Sequence, residues 1–167
     1  MARISSLAAG GVAVLAMIDT VHWSEIGPDL LAVSDDGYNV IVGSTAERPF
    51  LFKDYSRHPH VLNVAQNSTA AGASQFIFPT WTELQSTHKF LAFDPFSQDD
   101  ATIELFLRHN ALDMIKGGQI ANAIFACSNE WASFPGGDSG QHEQQLSALL
   151  QAYQAALAKY QTTQGIT

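Results

Sequence analysis

The chain has 167 residues, with 8 Lys and Arg against 16 Asp and Glu for a formal charge of −8, and 46% hydrophobic but only 14% charged residues. That balance is globular, because a disordered chain combines low hydrophobicity with dense charge and about 150 residues is already the usual size of one domain burying roughly 70% of its unfolded surface. Basic residues scattered singly offer no footprint for nucleic acid and no polybasic membrane anchor, and the lone Cys127 excludes an intramolecular disulfide and reads as a small buried hydrophobe inside a cell.

From Ser5 to Glu25, Val12, Leu15, Ile18 and Val21 recur at helical spacing behind a Ser5 or Ser6 cap, which predicts a first helix weakened at Gly10 and Gly11. Within it the apolar run Leu7 to Ile18 falls short of the ~20 residues that cross a bilayer. Arg3 precedes it, but no small-residue cleavage site follows Ile18, so a buried helix is expected rather than a signal or a stable membrane insertion. Gly27-Pro28 should then stop any helix. Residues 37–43, Gly-Tyr-Asn-Val-Ile-Val-Gly, read as a short strand, with residues 50–52 as its partner in a small β-hairpin. Residues 54–72 lack periodicity and predict a long ordered loop of the kind that carries function.

The remainder turns helical. A helix starts around Pro79 and Thr80, and another is expected to open at Ser97 with Asp99 and Asp100 at its positive end, showing Ile103, Phe106 and Leu107 as its stripe. A shorter helix spans 119–127. A last one, opened by Asp138-Ser139-Gly140, carries Leu146, Leu149, Leu150, Tyr153, Ala156, Leu157 and Tyr160, with 160–167 as a frayed tail. The fold class is therefore α+β, mainly helical with a small hairpin or sheet in the N-terminal half, and residues 1–167 form one domain.

Glu25 is the first candidate for chemistry. It ends a helix before a Gly-Pro pair, beside Trp23 and among few charges, so its carboxyl fits either a solvated helix end or a cleft wall where desolvation raises its pKa toward general-acid use. Asp35, Asp36 and Asp54 are alternative second carboxylates in loop-like sequence. Trp81 and Trp131 fit sugar stacking or core packing. His58-Pro59-His60 lacks a matched third ligand, so no metal site is expected, and no Gly-x-Ser-x-Gly elbow supports a serine hydrolase.

Five strings sharpen this reading: residues 22–25 (His-Trp-Ser-Glu), 37–43, 52–59 (Phe-Lys-Asp-Tyr-Ser-Arg-His-Pro), 68–72 with Gln75, and 127–136 with Gly140-Gln141. In order and spacing, over about 120 residues, they resemble the lambda-type endolysins. The resemblance implies a lysozyme-like fold and a lytic transglycosylase that cleaves the MurNAc-β-1,4-GlcNAc bond of peptidoglycan, without cofactor, as a monomer. It puts Glu25 in the place of the single catalytic acid, and Tyr38, Ser68, Thr69, Gln75, Asn129, Trp131 and Gln141 along the substrate. It further implies synthesis in the host cytoplasm without a signal, and action on the wall after release by a separate holin.

A retaining hydrolase needs a second carboxylate about 5 Å from the first, and an inverting one needs it farther off. A transglycosylase needs neither, because the muramic acid's own C6 hydroxyl attacks C1 and closes a 1,6-anhydro ring. The chain departs from the family at Ile26, at Asn39 where the family has Asp, at Ala73-Ser74 where it has Arg-Tyr, and at Ser139 where it has Tyr. Lost aromatic contacts leave two other readings: a catalytically impaired glycan-binding protein, and a hydrolytic muramidase using a second Asp.

Overall fold

Ser5 starts the helical chain: its Oγ accepts the Ala8 N–H at 3.2 Å and caps α1 (Ser6–Ala9). Gly10 and Gly11, at φ 83° and 130°, then break the run, so the one helix expected over 5–25 is two. α2 (Val12–Ile26) follows, with Val14 to Ile18, Thr20, Val21 and His22 all buried. A helix buried around most of its circumference belongs inside a globular core, and that is where the apolar N-terminal run goes. The computed structural model describes residues 1–137 and 143–164. Among these no helix is long and apolar enough to cross a membrane.

Gly27 closes α2 by donating its N–H to Trp23 O at 3.0 Å, and Pro28 opens α3 (Pro28–Ala32). The Gly-Pro pair therefore turns the chain between two helices instead of ending helical structure, since proline's missing N–H is no loss in a first turn. α4 (Phe78–His88) carries Pro79 in its first turn, and its entry is tied to the preceding loop by the Phe78 N–H donated to Thr69 Oγ1 at 3.0 Å.

α5 (Pro95–Arg108) begins earlier than Ser97, because Asp94 is the cap: its Oδ1 accepts the Ser97 N–H at 2.9 Å. α6 (Leu112–Lys116) is a single short helix with no periodic signature of its own, and α7 (Ile120–Ala126) fills the span expected for it. α8 (Leu146–Gln164) buries Leu149, Tyr153, Ala156 and Tyr160 at spacings that keep one face, and it packs more extensively on α2 than any other element does. The frayed tail expected from 160 is corrected through 164. Tyr160 is buried and donates its hydroxyl to Asp19 Oδ2 at 2.9 Å, which holds the last turns in place. Asp138, Ser139 and Gly140, read as the opening of this helix, lie outside the described residues.

The expected hairpin is also corrected. Among the described residues there is no strand, and residues 37–43 contribute isolated bridges: Val40 to Leu51 and Ile41 to Ala71. Tyr38 and Val40 donate their N–H groups back into turns at Asp35 O and Gly37 O. Outward pairing is split between two partners: Ile41 N–H and Asn39 O bond to Phe50 O and Phe52 N–H, while Val42 N–H and Val40 O bond to Ala70 O and Gly72 N–H, so only isolated bridges form.

Behind these bridges the 70–76 turn is stapled by Gln98, which is fully buried on α5. Its Oε1 accepts the Ala73 N–H at 3.0 Å, and its Nε2 donates to Tyr38 O at 3.1 Å and Phe93 O at 2.8 Å. Gly72, at φ 78°, lets this amide approach, because a Cβ there would collide with Gln98 Oε1 and with Phe93. One cluster of buried apolar side chains takes in residues from Ile4 to Tyr160, with Trp81, Phe93, Phe106, Phe134 and Cys127 at its centre. The Cys127 thiol is pushed up to about 12 by burial, with the Glu130 charge adding to it, as befits an inert packed side chain.

Candidate active site

The last turn of α2 delivers Glu25, and the turn after α7 delivers its partner. Ser133 Oγ donates to Glu25 Oε1 at 2.5 Å and itself accepts the Ser24 hydroxyl at 2.7 Å, so two serines form a directed relay into one carboxyl oxygen. The part-buried carboxyl is pushed up to about 7: burial raises it, while hydrogen bonds from the side chain and backbone of Ser133 favour the charged form and limit the rise. No charged group is among the influences on Glu25. A carboxyl that titrates near neutrality can hold a proton for a leaving group and take one back within the same turnover. Because Ser133 engages Oε1, the second oxygen is left to carry the transferable proton.

Replacing Ser133 by Ala removes a donor that favours the carboxylate. The Glu25 pKa is expected to rise above 7 by about one unit, the magnitude of one charge-assisted hydrogen bond. The alkaline limb of the pH–activity profile should move with it in kcat/KM measurements over pH 5–9, and an unmoved limb would disconnect Ser133 from the acid.

Gln75, Asn129 and Trp131 line one cavity of about 310 Å³, which neither Glu25 nor Ser133 borders. Gln75 sits at φ 51°, held in that left-handed conformation by its own Nε2, which donates to Gly72 O at 2.8 Å. Asn129 is exposed at the rim. Trp131 is 3% exposed and donates its indole N–H to Ser74 O at 3.1 Å, so it forms a wall and offers little free ring face. Trp131 and Ser133 share a turn closed by the Phe134 N–H on Trp131 O. That turn connects the cavity wall to the Glu25 relay.

Other residues read along the substrate are placed differently. Tyr38 is fully buried, donates its hydroxyl to Asp99 Oδ1 at 2.8 Å and lies edge-on to His22, so it is a core residue and presents no face to a ligand. Asp99, itself fully buried, also accepts the Arg3 and Ile4 N–H groups, which docks the first residues onto α5. Ser68 and Thr69 shape the loop: Ser68 exchanges backbone hydrogen bonds with Asn63, and Thr69 anchors α4. Gln141 lies outside the described residues. Trp81 packs among Phe76, Phe90 and Phe93, in the core.

The alternative second carboxylates are engaged elsewhere. Asp35 accepts from Arg3 and from the Tyr55 hydroxyl, Asp36 pairs with Arg3, and exposed Asp54 caps its own Ser56 N–H. His58 uses both ring nitrogens: Nε2 donates to Phe76 O at 2.8 Å, and Nδ1 accepts the His60 N–H at 3.1 Å, which leaves no lone pair for a metal. Among the described residues no three His, Cys, Asp or Glu gather as a metal site.

Sequence reasoning missed Ser24, Ser133 and Glu130. Ser24 adjoins the acid and could have been weighed with it. Ser133 bonds to Glu25 across 108 residues; it falls within the 127–136 string, but nothing in that string singles it out. Glu130 lines the Trp131 cavity but is held by His109 Nε2 at 2.9 Å.

The endolysin family model matches residues 15–160. The endolysin of Escherichia phage P2 is 36% identical over 151 residues, covering 86% of this chain and 92% of the relative, and that of Escherichia phage lambda is 37% identical over 146 residues, covering 84% and 89%. The solved structure of bacteriophage lambda lysozyme complexed with a chitohexasaccharide superposes with a TM-score of 0.78 at 35% identity, covering 93% of this chain and 97% of that one. With a family match and two such relatives spanning most of its length, the chain belongs to the endolysin family.

Proposed function

We propose that this endolysin cleaves the glycan strands of bacterial peptidoglycan as a lytic transglycosylase, with Glu25 as its single acid and base. The observation that carries the reading is the Glu25 carboxyl itself, titrating near 7 through burial, oriented by Ser133 and under no influence from another carboxylate. Protonated Glu25 gives its proton to the departing glycosidic oxygen. As carboxylate it then takes the proton of the muramic acid C6 hydroxyl, whose oxygen bonds to C1 and closes the anhydro ring. Because that nucleophile is held in the substrate, no second protein carboxylate is required to activate water.

In this reading Gln75, Asn129 and Trp131 border the glycan, and the Ser74 to Ile77 backbone supplies dipoles to the oxocarbenium-like transition state. The lambda lysozyme relative, solved with a chitohexasaccharide, supports a bound glycan of this class. The enzyme would be made in the host cytoplasm and act on the wall once a separate holin releases it. A zymogram on purified peptidoglycan followed by mass analysis of the soluble muropeptides tests the proposal. Products lighter by one water than hydrolytic ones, without a reducing end, are expected. Reducing muramic acid as the sole product would make the enzyme a hydrolytic muramidase, and absence of any clearing would leave a glycan-binding protein.

A further inference from the structure

On the other side of α4's first turns lies a second cavity, of about 470 Å³, between residues 57–60 and α4. Arg57, His58, His60, Phe78, Trp81 and Gln85 border it, and no Asp or Glu does, in a chain whose formal charge is −8. Arg57 is exposed, and among the described residues its guanidinium makes no hydrogen bond or ion pair; it acts on exposed Asp54 at longer range. Trp81 forms a wall at 1% exposure, and its indole N–H has no acceptor. His60, at φ 50°, stacks flat on Phe78 with ring centroids 3.5 Å apart, and His58 is fixed by Phe76 O, so the rim is set by packed rings.

A cavity bordered by a free guanidinium and packed rings, with no carboxylate on its lining, favours an anion that also carries apolar groups. The planar fork of Arg matches a carboxylate in particular. Its position decides which anion. The 74–82 segment is a shared wall: Ile77 and Thr80 face the cavity of Trp131 and Asn129, while Phe78, Trp81 and Thr82 face this one. The proposal places a glycan along the first cavity with its substituents directed over that wall toward the second. The sugars of a peptidoglycan strand bear no free carboxylate when the lactyl group is amide-linked, whereas the peptide stem bears several.

We propose that the Arg57–Trp81 cavity is a subsite for the carboxylated peptide stem of peptidoglycan. The proposal rests on the wall-lysis reading above, since the glycan on the shared wall is what presents the stem. It makes the enzyme sense peptide decoration as well as sugar.

The test is a titration of the ¹⁵N-labelled full chain with the synthetic stem tripeptide L-alanyl-γ-D-glutamyl-meso-diaminopimelate and, separately, with a stem-free GlcNAc disaccharide. The readout is the Trp81 indole N–H resonance, identified by its loss in Trp81→Phe. The tripeptide is expected to move that resonance saturably at millimolar concentration, the disaccharide to leave it in place, and Arg57→Gln to weaken tripeptide binding roughly five- to tenfold. No movement with the tripeptide, or equal affinity in Arg57→Gln, overturns the subsite. Zymogram lysis by the parent, run in parallel, separates the two readings: a lytic protein whose Trp81 ignores the tripeptide overturns the subsite alone, and a non-lytic protein overturns the wall-lysis reading.

Discussion

Glu25→Gln is expected to lower lysis by about 10²–10⁴-fold, the usual cost of losing general acid–base catalysis, while making the protein more stable at alkaline pH. The amide is nearly isosteric and still accepts the Ser133 hydroxyl, but it neither gives nor takes the proton. The stability effect follows from the raised pKa. In the folded chain Glu25 titrates near 7 against an ordinary value of 4.5. Its favourable contribution is intact below 4.5, where the carboxyl is protonated folded or unfolded, and is gone once pH passes 7, where folding must bury a charge that the unfolded chain keeps in water. Gln does not titrate. The gap in stability between Glu25→Gln and the parent should therefore widen between pH 5 and pH 8, by about 2–3 kcal/mol. Melting curves of both proteins at the two pH values check this together with the zymogram. A gap that does not change with pH would mean the carboxyl is solvated, and equal lysis would remove Glu25 from the chemistry.

The second large effect concerns Ala73 and Ser74, where the family resemblance read from the sequence implies Arg-Tyr. The sequence departure at Ala73 and Ser74 invites the idea of lost sugar contacts, which the double replacement Ala73→Arg with Ser74→Tyr would restore. Their environment argues for the opposite outcome. Ala73 is fully buried and Ser74 is 2% exposed. The Thr102 hydroxyl donates to Gln98 O at 2.9 Å, so the 2.7 Å contact between Ser74 and Thr102 is a bond donated by Ser74. Trp131 closes over the Ser74 carbonyl.

A phenol at 74 overpacks this interior by about 1–3 kcal/mol, and an unpaired guanidinium at 73 adds a desolvation cost of several more. A loss of at least about 3 kcal/mol is expected, seen as a melting temperature lower by roughly 6–12 °C, with no gain in lysis at low substrate. A double mutant that melts like the parent and lyses faster would show that the space is open and faces the cleft.

Much of the helical part of the fold was legible because helices announce themselves locally. The Ser5 cap, the Pro79 first turn and the face of α8 from Leu149 to Tyr160 can each be read within a dozen residues. The failures have a common cause. Gly10-Gly11 weakens a helix on paper but splits it here, because both residues take φ angles that no helix holds. The string Tyr38 to Val42 has strand composition, yet Asp99 and Gln98 on α5 capture Tyr38 by its hydroxyl and its carbonyl, and what remains pairs at isolated bridges. Strand propensity measures fit to a pleated surface, and none is built here.

At the site, Glu25 stood out because few charges surround it and a Gly-Pro turn follows. Its orienting serine did not, because the 127–136 string holds two serines and nothing in the sequence says which one turns toward Glu25. Tyr38 was misjudged for the converse reason: an aromatic with a polar tip fits a sugar face and a buried carboxylate equally well until its neighbours are known.

The packing of α8 on α2 bears on when this enzyme becomes an enzyme. Tyr160 reaches Asp19 across 141 positions, and Ser133 reaches Glu25 across 108. A chain emerging from the ribosome thus exposes α2, most of whose residues are buried in the folded protein, long before it has made either the Ser133 hydroxyl that bonds Glu25 or the helix α8 that packs on α2. Such distant contacts close late and slowly. A chain that ends before Leu146 would therefore carry Glu25 on an α2 that lacks the α8 face packed on it in the full protein.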